Sequence, residues 1–331
     1  MKKKKKIGKK KYFGLILIVV LLLGAAGAII LNRGWIYDYF RGVTYQPSGE
    51  MITIRDDLDL TDEGKFLFNA SQPVLNSREA FNENCGDNGD SEVAILGCYR
   101  NGNIYVYDIK NNNLEGIREL TTAHELLHVV WARMSESERK ELGLVLEQVL
   151  NANQNLLGDE IGTYDASERQ EELYVRVGTE IAELPEILER HFAKIFKNQK
   201  RIVKFYNSYI AVFRGLKTEM EALKNEIEIM GKEIEIKTTN YEDRMAQLSA
   251  DITSFNSCAR VAGCFNDEAS FYGRRQQLVA EQTNLEELYY KINDLIVQYN
   301  TKIDKYNEDV LQSKELQKVI NSSLVPDEIN F

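Results

Sequence analysis

The apolar residues in the last third of the chain repeat with the spacing of paired helices. Between residues 199 and 255 they step by threes and fours. Further along they recur at every seventh position, at Phe271, Leu278, Leu285, Ile292, Tyr299 and Tyr306. Sustained heptads with charged flanks are typical of coiled coils. The pattern predicts a long antiparallel coiled-coil helical hairpin over residues 199–323, followed by a tail at 324–331.

Residues 43–198 show a mixed pattern, which predicts a small domain with strands and helices. Its first fifty residues indicate loops and short helices. Val93–Tyr99 and Ile104–Ile109 read as two strands, and Asn101-Gly102-Asn103 between them predicts a hairpin turn. Helical spacing follows, and the first predicted helix is Leu120–Met134. A second helix should run from a Ser135/Glu138 capping box to Asn151, and a third from a Ser167/Gln170 cap to Leu184. Pro185 would lie in the first turn of a fourth helix. We therefore expect an α+β protein that is mostly α.

A run of 20 uncharged residues, Tyr12–Leu31, separates a lysine-rich block from this domain. Its length matches the hydrocarbon core of a bilayer. Eight lysines lie in residues 1–11, so the positive-inside rule predicts a single-pass anchor in the cell membrane with a basic cytoplasmic tail. Residues 32–42 would be juxtamembrane, and the body would be extracytoplasmic. Four aromatic residues follow the run and predict an interfacial belt: Trp35, Tyr37, Tyr39 and Phe40.

A cleaved signal peptide is the alternative interpretation of the same segment. Phe13–Leu23 would be its apolar core, and Ala26-Gly27-Ala28 is an acceptable cleavage site. The apolar residues Ile29–Leu31 continue past that site, which favours the anchor. Beyond residue 11 the chain carries 33 basic against 51 acidic residues. An acidic body disfavours a nucleic-acid partner, because phosphate binding needs clustered positive charge.

The four cysteines form two pairs that are local in sequence. Neither pair has the CxxC spacing of a zinc knuckle or a thioredoxin-like redox motif. In an oxidising compartment we expect disulfides between Cys85 and Cys98 and between Cys258 and Cys264. Four buried free thiols are the alternative.

One motif carries chemistry, the HExxH of His124-Glu125-Leu126-Leu127-His128. Histidines four residues apart share a helix face, so both imidazoles can bind one Zn²⁺ ion. Glu125 is then the expected general base, which takes a proton from zinc-bound water. Trp131 and Met134 stand where the HExxHxxGxxH pattern needs Gly and His, which excludes the metzincin class. A carboxylate on the next predicted helix is the remaining third ligand, and the candidates are Glu171, Glu172, Glu180 and Glu183.

The segment Glu172–Glu180 and the residues after it carry a resemblance to a known family. With Leu184-Pro185, Leu188-Glu189, His191-Phe192 and Phe196, it resembles uncharacterised membrane-anchored bacterial zincins that have an ELxxxxGTE segment after HExxH. The resemblance covers roughly residues 119–205. The chain departs from that pattern at three positions, with Glu171 for Asn, Tyr174 for His and Val175 for Ser.

The resemblance implies a gluzincin-like site in a zincin-like domain. Its third zinc ligand would be Glu172, with Glu180 as the second choice. If Glu180 is not a ligand, its expected role is to orient one of the histidines. His191 reads as an exposed surface residue. Tyr164 and Tyr174 are candidate donors to the tetrahedral oxyanion.

Two functions from different classes fit these features. The first is a membrane-anchored zinc metallopeptidase that hydrolyses a peptide or protein substrate in the cell envelope, with the substrate strand paired to an edge strand near Ile104–Ile109. The second is an envelope scaffold whose coiled coil binds a protein partner and whose metal site is structural or vestigial. A metal-dependent amidase acting on cell-wall peptides is a third hypothesis, which the sequence does not separate from proteolysis.

Overall fold

The computed structural model describes residues 19–24, 27, 32–86, 96–158, 161–166 and 168–321. No helix within these ranges is long and apolar enough to cross a membrane. The basic tail, the C-terminal tail at 324–331 and most of the predicted anchor, Tyr12–Leu31, lie outside the described residues. The anchor therefore stays a prediction.

The described residues are mostly helical, with one small sheet, as the α+β prediction required. The helices are α1 (Arg33–Thr44), α2 (Gly49–Asp57), α3 (Asp62–Ser71), α4 (Arg78–Cys85), α5 (Ile117–Arg133), α6 (Glu136–Ala152), α7 (Arg169–Glu180), α8 (Glu186–Phe192), α9 (Gln199–Ala259) and α10 (Glu268–Ile320). A 3₁₀ turn at Asn112–Leu114 and a π-helical turn at Gln154–Gly158 connect some of them. The strands are β1 (Val74–Asn76), β2 (Gly97–Arg100) and β3 (Asn103–Tyr107).

The predicted β-hairpin is confirmed over the described residues, and a third strand joins it; residues 93–95 of the predicted first strand lie outside the described residues. β2 and β3 are antiparallel, joined by Asn101 and Gly102, which both have positive φ (53° and 83°). Positive φ at both loop positions is the signature of the type I′ turn that Asn-Gly favours. β1 pairs parallel with β3, so the strand order is β1-β3-β2. The prediction that Ile104–Ile109 forms an edge strand is wrong, because β3 is central and β1 and β2 are the two edge strands.

Local sequence signals fix several helix ends. The capping box of Ser135 and Glu138 is present at the start of α6. Pro185 is the N-cap of α8 rather than part of its first turn. α7 ends at Glu180, four residues before the predicted end, and Ser167 lies outside the described residues.

The chain divides into two compact units. The globular unit comprises the described residues up to Val212 together with those from Lys318, and the paired-helix unit comprises Phe213–Gln317. In the globular unit α5 packs most closely against α7, and the same core includes parts of α3, β3 and α6. Its largest fully buried side chains include Tyr174, Phe68 and Phe192.

In the paired-helix unit, residues late in α9 contact residues early in α10, and residues early in α9 contact residues late in α10. Arg244 binds Glu281, and Lys302 binds Glu226. A narrow apolar core is built around Leu248, Leu278 and Leu285. The two helices therefore pack antiparallel within this unit.

Both predicted disulfides are present. Cys85–Cys98 joins α4 to the edge strand β2, and Cys258–Cys264 closes the connection between α9 and α10.

Candidate metal centre

The two histidines of the HExxH motif lie side by side on α5, with ring centroids 5.1 Å apart. Four residues are slightly more than one helical turn, so the two rings share one face. The opposite face of α5 is buried in the core through Leu126, Val129 and Val130. Core packing of α5 therefore holds both imidazoles in one direction.

Glu172 on α7 faces both rings. Its Oε1 lies 3.7 Å from His124 Nε2, and its Oε2 lies 3.6 Å from His128 Nε2. These distances are too long for hydrogen bonds. Ligand atoms held tetrahedrally at zinc-ligand bond lengths are about 3.3–3.5 Å apart, so the three side chains fit the outline of a zinc site. They are also the kinds of ligand that Zn²⁺ takes in catalytic sites.

The other predicted carboxylate, Glu180, is directed elsewhere. Its two oxygens accept hydrogen bonds from Arg176, at 2.8 and 3.1 Å, and both side chains are buried. Glu180 lies two helical turns beyond Glu172 along α7. The structure thus brings His124, His128 and Glu172 together and leaves Glu180 in an ion pair within α7.

Glu171 contributes a contact that the sequence did not single out. Its Oε1 lies 2.8 Å from His128 Nδ1. If that nitrogen carries the proton, the other ring nitrogen is left to face Glu172. A carboxylate behind a metal-ligating histidine fixes the ring orientation and makes the ring more basic. The sequence places Glu171 among the candidate carboxylates but does not indicate that its partner is His128.

Burial and neighbouring charges set the protonation of the cluster. Burial lowers the pKa of His124 well below its usual value, and the charges of His128 and Arg176 lower it further. Burial raises the pKa of Glu172, against the opposing charges of His128 and Arg176. A neutral His124 keeps its nitrogen lone pair, and a metal ligand needs that lone pair.

Glu125 lies beneath the edge strand beside the cluster. Its side chain is buried, and its carboxylate accepts a hydrogen bond from the backbone N–H of Tyr99. Burial raises its pKa to about 7, where a general base works well at neutral pH. The strand approaches closely because residue 97 is glycine. A Cβ there would lie 2.7 Å from Glu125 Oε1 and 2.6 Å from Thr121 Cγ2.

The backbone of β2 is partly free on the side away from β3. The carbonyl of Leu96 accepts a hydrogen bond from the N–H of Tyr107 on β3. In an antiparallel ladder the backbone groups of alternate residues point to the same side, so those of Cys98 also point towards β3. The backbone groups of Gly97 and Tyr99 therefore face away from the sheet, on the side of Glu125.

The two tyrosines predicted as oxyanion donors have different environments. Tyr174 is fully buried, and its hydroxyl lies 3.0 Å from His191 Nε2. It packs against Trp131 and Phe192, so it belongs to the core. The hydroxyl of Tyr164 instead hydrogen-bonds to Glu172, at the cluster. His191 is half-buried, which corrects the expectation of an exposed surface residue.

Comparison of the chain with protein-family models, with curated proteins and with solved structures gave no match. The interpretation of this site therefore depends on its own geometry.

Proposed function

We propose that this protein is a zinc-dependent metallopeptidase that acts outside the cytoplasm from a single-pass membrane anchor. The observation that carries the proposal is the cluster of His124, His128 and Glu172, with the buried Glu125 beside it. The three would bind Zn²⁺, and a bound zinc ion supplies a water nucleophile near neutral pH and polarises a carbonyl. Three protein ligands suit a catalytic site, because structural zinc sites are closed by four.

The chain's own residues would divide the work as follows. Glu125 takes a proton from the attacking water and gives it to the leaving amine. Glu171 orients His128, and Tyr164 holds Glu172. The Tyr99 N–H already donates to Glu125, so an extended peptide would pair with the other outward groups of β2, the backbone of Gly97 and the carbonyl of Tyr99. This pairing brings the peptide carbonyl close to Glu125.

Location and architecture complete the proposal. The uncharged run Tyr12–Leu31 and its lysine-rich flank support an anchor with a cytoplasmic N-terminus. Two disulfides support an oxidising compartment for the body. The domain around the cluster would be zincin-like, and the heptads of α9 and α10 support a coiled coil.

A scaffold function is the second candidate, and the length of α9 and α10 favours it. One substitution separates the two. Glu125→Gln should keep zinc binding but lower peptide turnover at least 100-fold, because it removes the base and no ligand. The assay uses the full-length protein in detergent and a library of quenched fluorescent peptides, with zinc measured by elemental analysis. Glu119→Gln, on the first turn of the same helix, is the control.

The outcomes are distinct. Loss of turnover with zinc retained supports the peptidase. Wild-type protein that binds no zinc contradicts the enzyme. Zinc bound with no cleavage of any library peptide favours the scaffold, unless cell-wall peptides are released instead, which would indicate an amidase.

A further inference from the structure

Helix α1 has its polar and apolar sides reversed relative to an ordinary surface helix. Its one buried residue is the acidic Asp38, which is 8% exposed. Its large apolar residues face outwards, and Trp35, Phe40 and Val43 are 59%, 63% and 67% exposed. A surface helix of a soluble domain normally buries its apolar stripe.

The polar side of α1 is attached firmly to the elements that carry the candidate site. Both oxygens of Asp38 accept from Arg133, the last residue of α5, at 2.7 and 2.8 Å. Arg133 also donates to the hydroxyl of Tyr99 on the edge strand, at 3.2 Å. Arg41 donates to the carbonyls of Ala70 and Gly102. These contacts fix α1 to α3, α5 and the β-hairpin, so α1 belongs to the folded globular unit.

The exposed side chains form one continuous face. Trp35, Tyr39 and Val43 are four residues apart, and the exposed Phe40 and the half-buried Ile36 lie beside them on the helical wheel. Trp35 stacks on Tyr39 at 5.5 Å. Trp and Tyr are enriched where hydrocarbon meets water, because their rings are apolar and their N–H or O–H groups are polar. We call these five residues the aromatic face.

The position of α1 in the chain identifies what covers this face. The uncharged run Tyr12–Leu31 ends one residue before Asn32, the N-cap of α1. A chain that leaves a bilayer at that point brings α1 out within the headgroup layer. We infer that α1 lies flat on the membrane with its aromatic face in the lipid interface, and so holds the candidate site at the bilayer surface. This inference depends on the proposed anchor but not on zinc or catalysis.

Position 43 tests the inference best. If α1 continued straight away from the bilayer, Val43 would stand about 18 Å beyond Leu31, at 1.5 Å per residue. If α1 lies flat, Val43 remains in the interface. We would place V43W in a Trp35→Phe background and keep Trp131, which is buried, as a constant signal. The full-length chain is reconstituted in phosphatidylcholine/phosphatidylglycerol vesicles with or without brominated acyl chains. L144W in the same background is the control, because Leu144 is exposed on α6 of the same unit.

The inference predicts that the chain floats with the vesicles and that the V43W signal loses about half its emission to brominated lipid, while the L144W signal is unchanged. Aqueous iodide should quench L144W more strongly than V43W. Flotation with V43W quenched by iodide and not by lipid would overturn the docking and leave the anchor and the peptidase standing.

Other results also overturn the docking. Equal lipid quenching of V43W and L144W would mean that another face meets the bilayer. Protection of V43W from both quenchers would indicate that a second copy covers the aromatic face. A chain that does not float contradicts both the anchor and the docking, while zinc titration of the same sample tests the metal site separately.

Discussion

The globular unit and the paired-helix unit bury different kinds of side chain. The globular unit buries charged groups with named partners, among them Asp38, Glu125, Glu172 and Arg176. The paired-helix unit buries mainly leucine and isoleucine at heptad spacing, with Asp309 as a charged exception. The Arg244–Glu281 pair that links its helices is about one-third exposed on each side.

This difference is the one expected if the globular unit carries the proposed site and the paired helices provide length. Buried charges cost free energy and persist where a function or a specific contact needs them. A heptad stripe needs only apolar residues at regular spacing, and exposed ion pairs contribute little to stability. We therefore expect perturbations of the globular unit to change metal binding and stability sharply, and those of the paired helices to change them little.

The largest expected effect is on zinc. Glu172→Ala should weaken zinc binding by more than tenfold, since it removes one of the three proposed protein ligands. Glu180→Gln should stay within a few-fold of wild type, because Glu180 bonds to Arg176 and not to the histidines. Titration against a competing chelator measures both. If Glu180→Gln strips the metal and Glu172→Ala does not, the ligand set is wrong.

Zinc should also stabilise the globular unit against unfolding without stabilising the paired-helix unit. At 100 times its dissociation constant a ligand adds about 2.7 kcal/mol to the stability of the unit that binds it. Both tryptophans lie in the globular unit, so their fluorescence reports its unfolding. A zinc-dependent shift of the paired-helix transition in far-UV circular dichroism, without a shift in fluorescence, would contradict this division.

Substitution of one glycine in each unit tests how tightly the unit is packed there. A Cβ at Gly178 in α7 would lie 2.5 Å from Leu127 Cδ1 and 2.6 Å from Phe192 Cε1, so Gly178→Ala should cost about 2 kcal/mol of stability. Gly273 in α10 has nothing within 4 Å of its added Cβ, so Gly273→Ala should stabilise its helix by up to ~1 kcal/mol. Chemical denaturation followed by fluorescence and circular dichroism measures both. Equal effects at the two positions would disprove the difference in packing.

The smallest effect is a pH dependence that only the globular unit should show. Burial lowers the pKa of His191 to about 4, with a further contribution from Lys194. The unfolded chain binds the proton near pH 6.5, so it holds more protons than the folded state between these values. The stabilisation is therefore complete above pH 6.5 and is lost as the pH falls towards 4.

With a discount for the half-exposed ring, the loss between pH 7 and pH 5 should be on the order of 1 kcal/mol. His191→Gln should remove that part of the pH dependence, as measured by the difference in denaturation midpoints from wild type. The paired-helix unit has no histidine, so its transition should hardly change over the same range. A wild-type and His191→Gln difference that is constant with pH would show that the ring is not held neutral.

Several elements could be predicted from the sequence because their causes are local. The Asn-Gly turn, the Ser135/Glu138 capping box and the start of α9 at Gln199 depend on residues a few positions apart. The disulfide pairs are 13 and 6 residues apart, close enough for each cysteine to have an obvious partner. The i, i+4 spacing of His124 and His128 likewise needs only a helix to bring the rings together.

The tertiary structure decided what distant segments do to one another. β1 is three residues long, too short to show a hydrophobic period, and its pairing with β3 makes β3 the central strand. His191 is covered by Tyr174 from another helix, and α1 turns its aromatic face outwards because Asp38 meets Arg133, 95 residues away. Glu172 and Glu180 look alike in sequence, since both follow the motif on one helix. The packing of α7 on α5 directs Glu172 to the histidines and Glu180 to Arg176. Local periodicity determines which residues share a face, but only the packing of whole elements determines what each face meets.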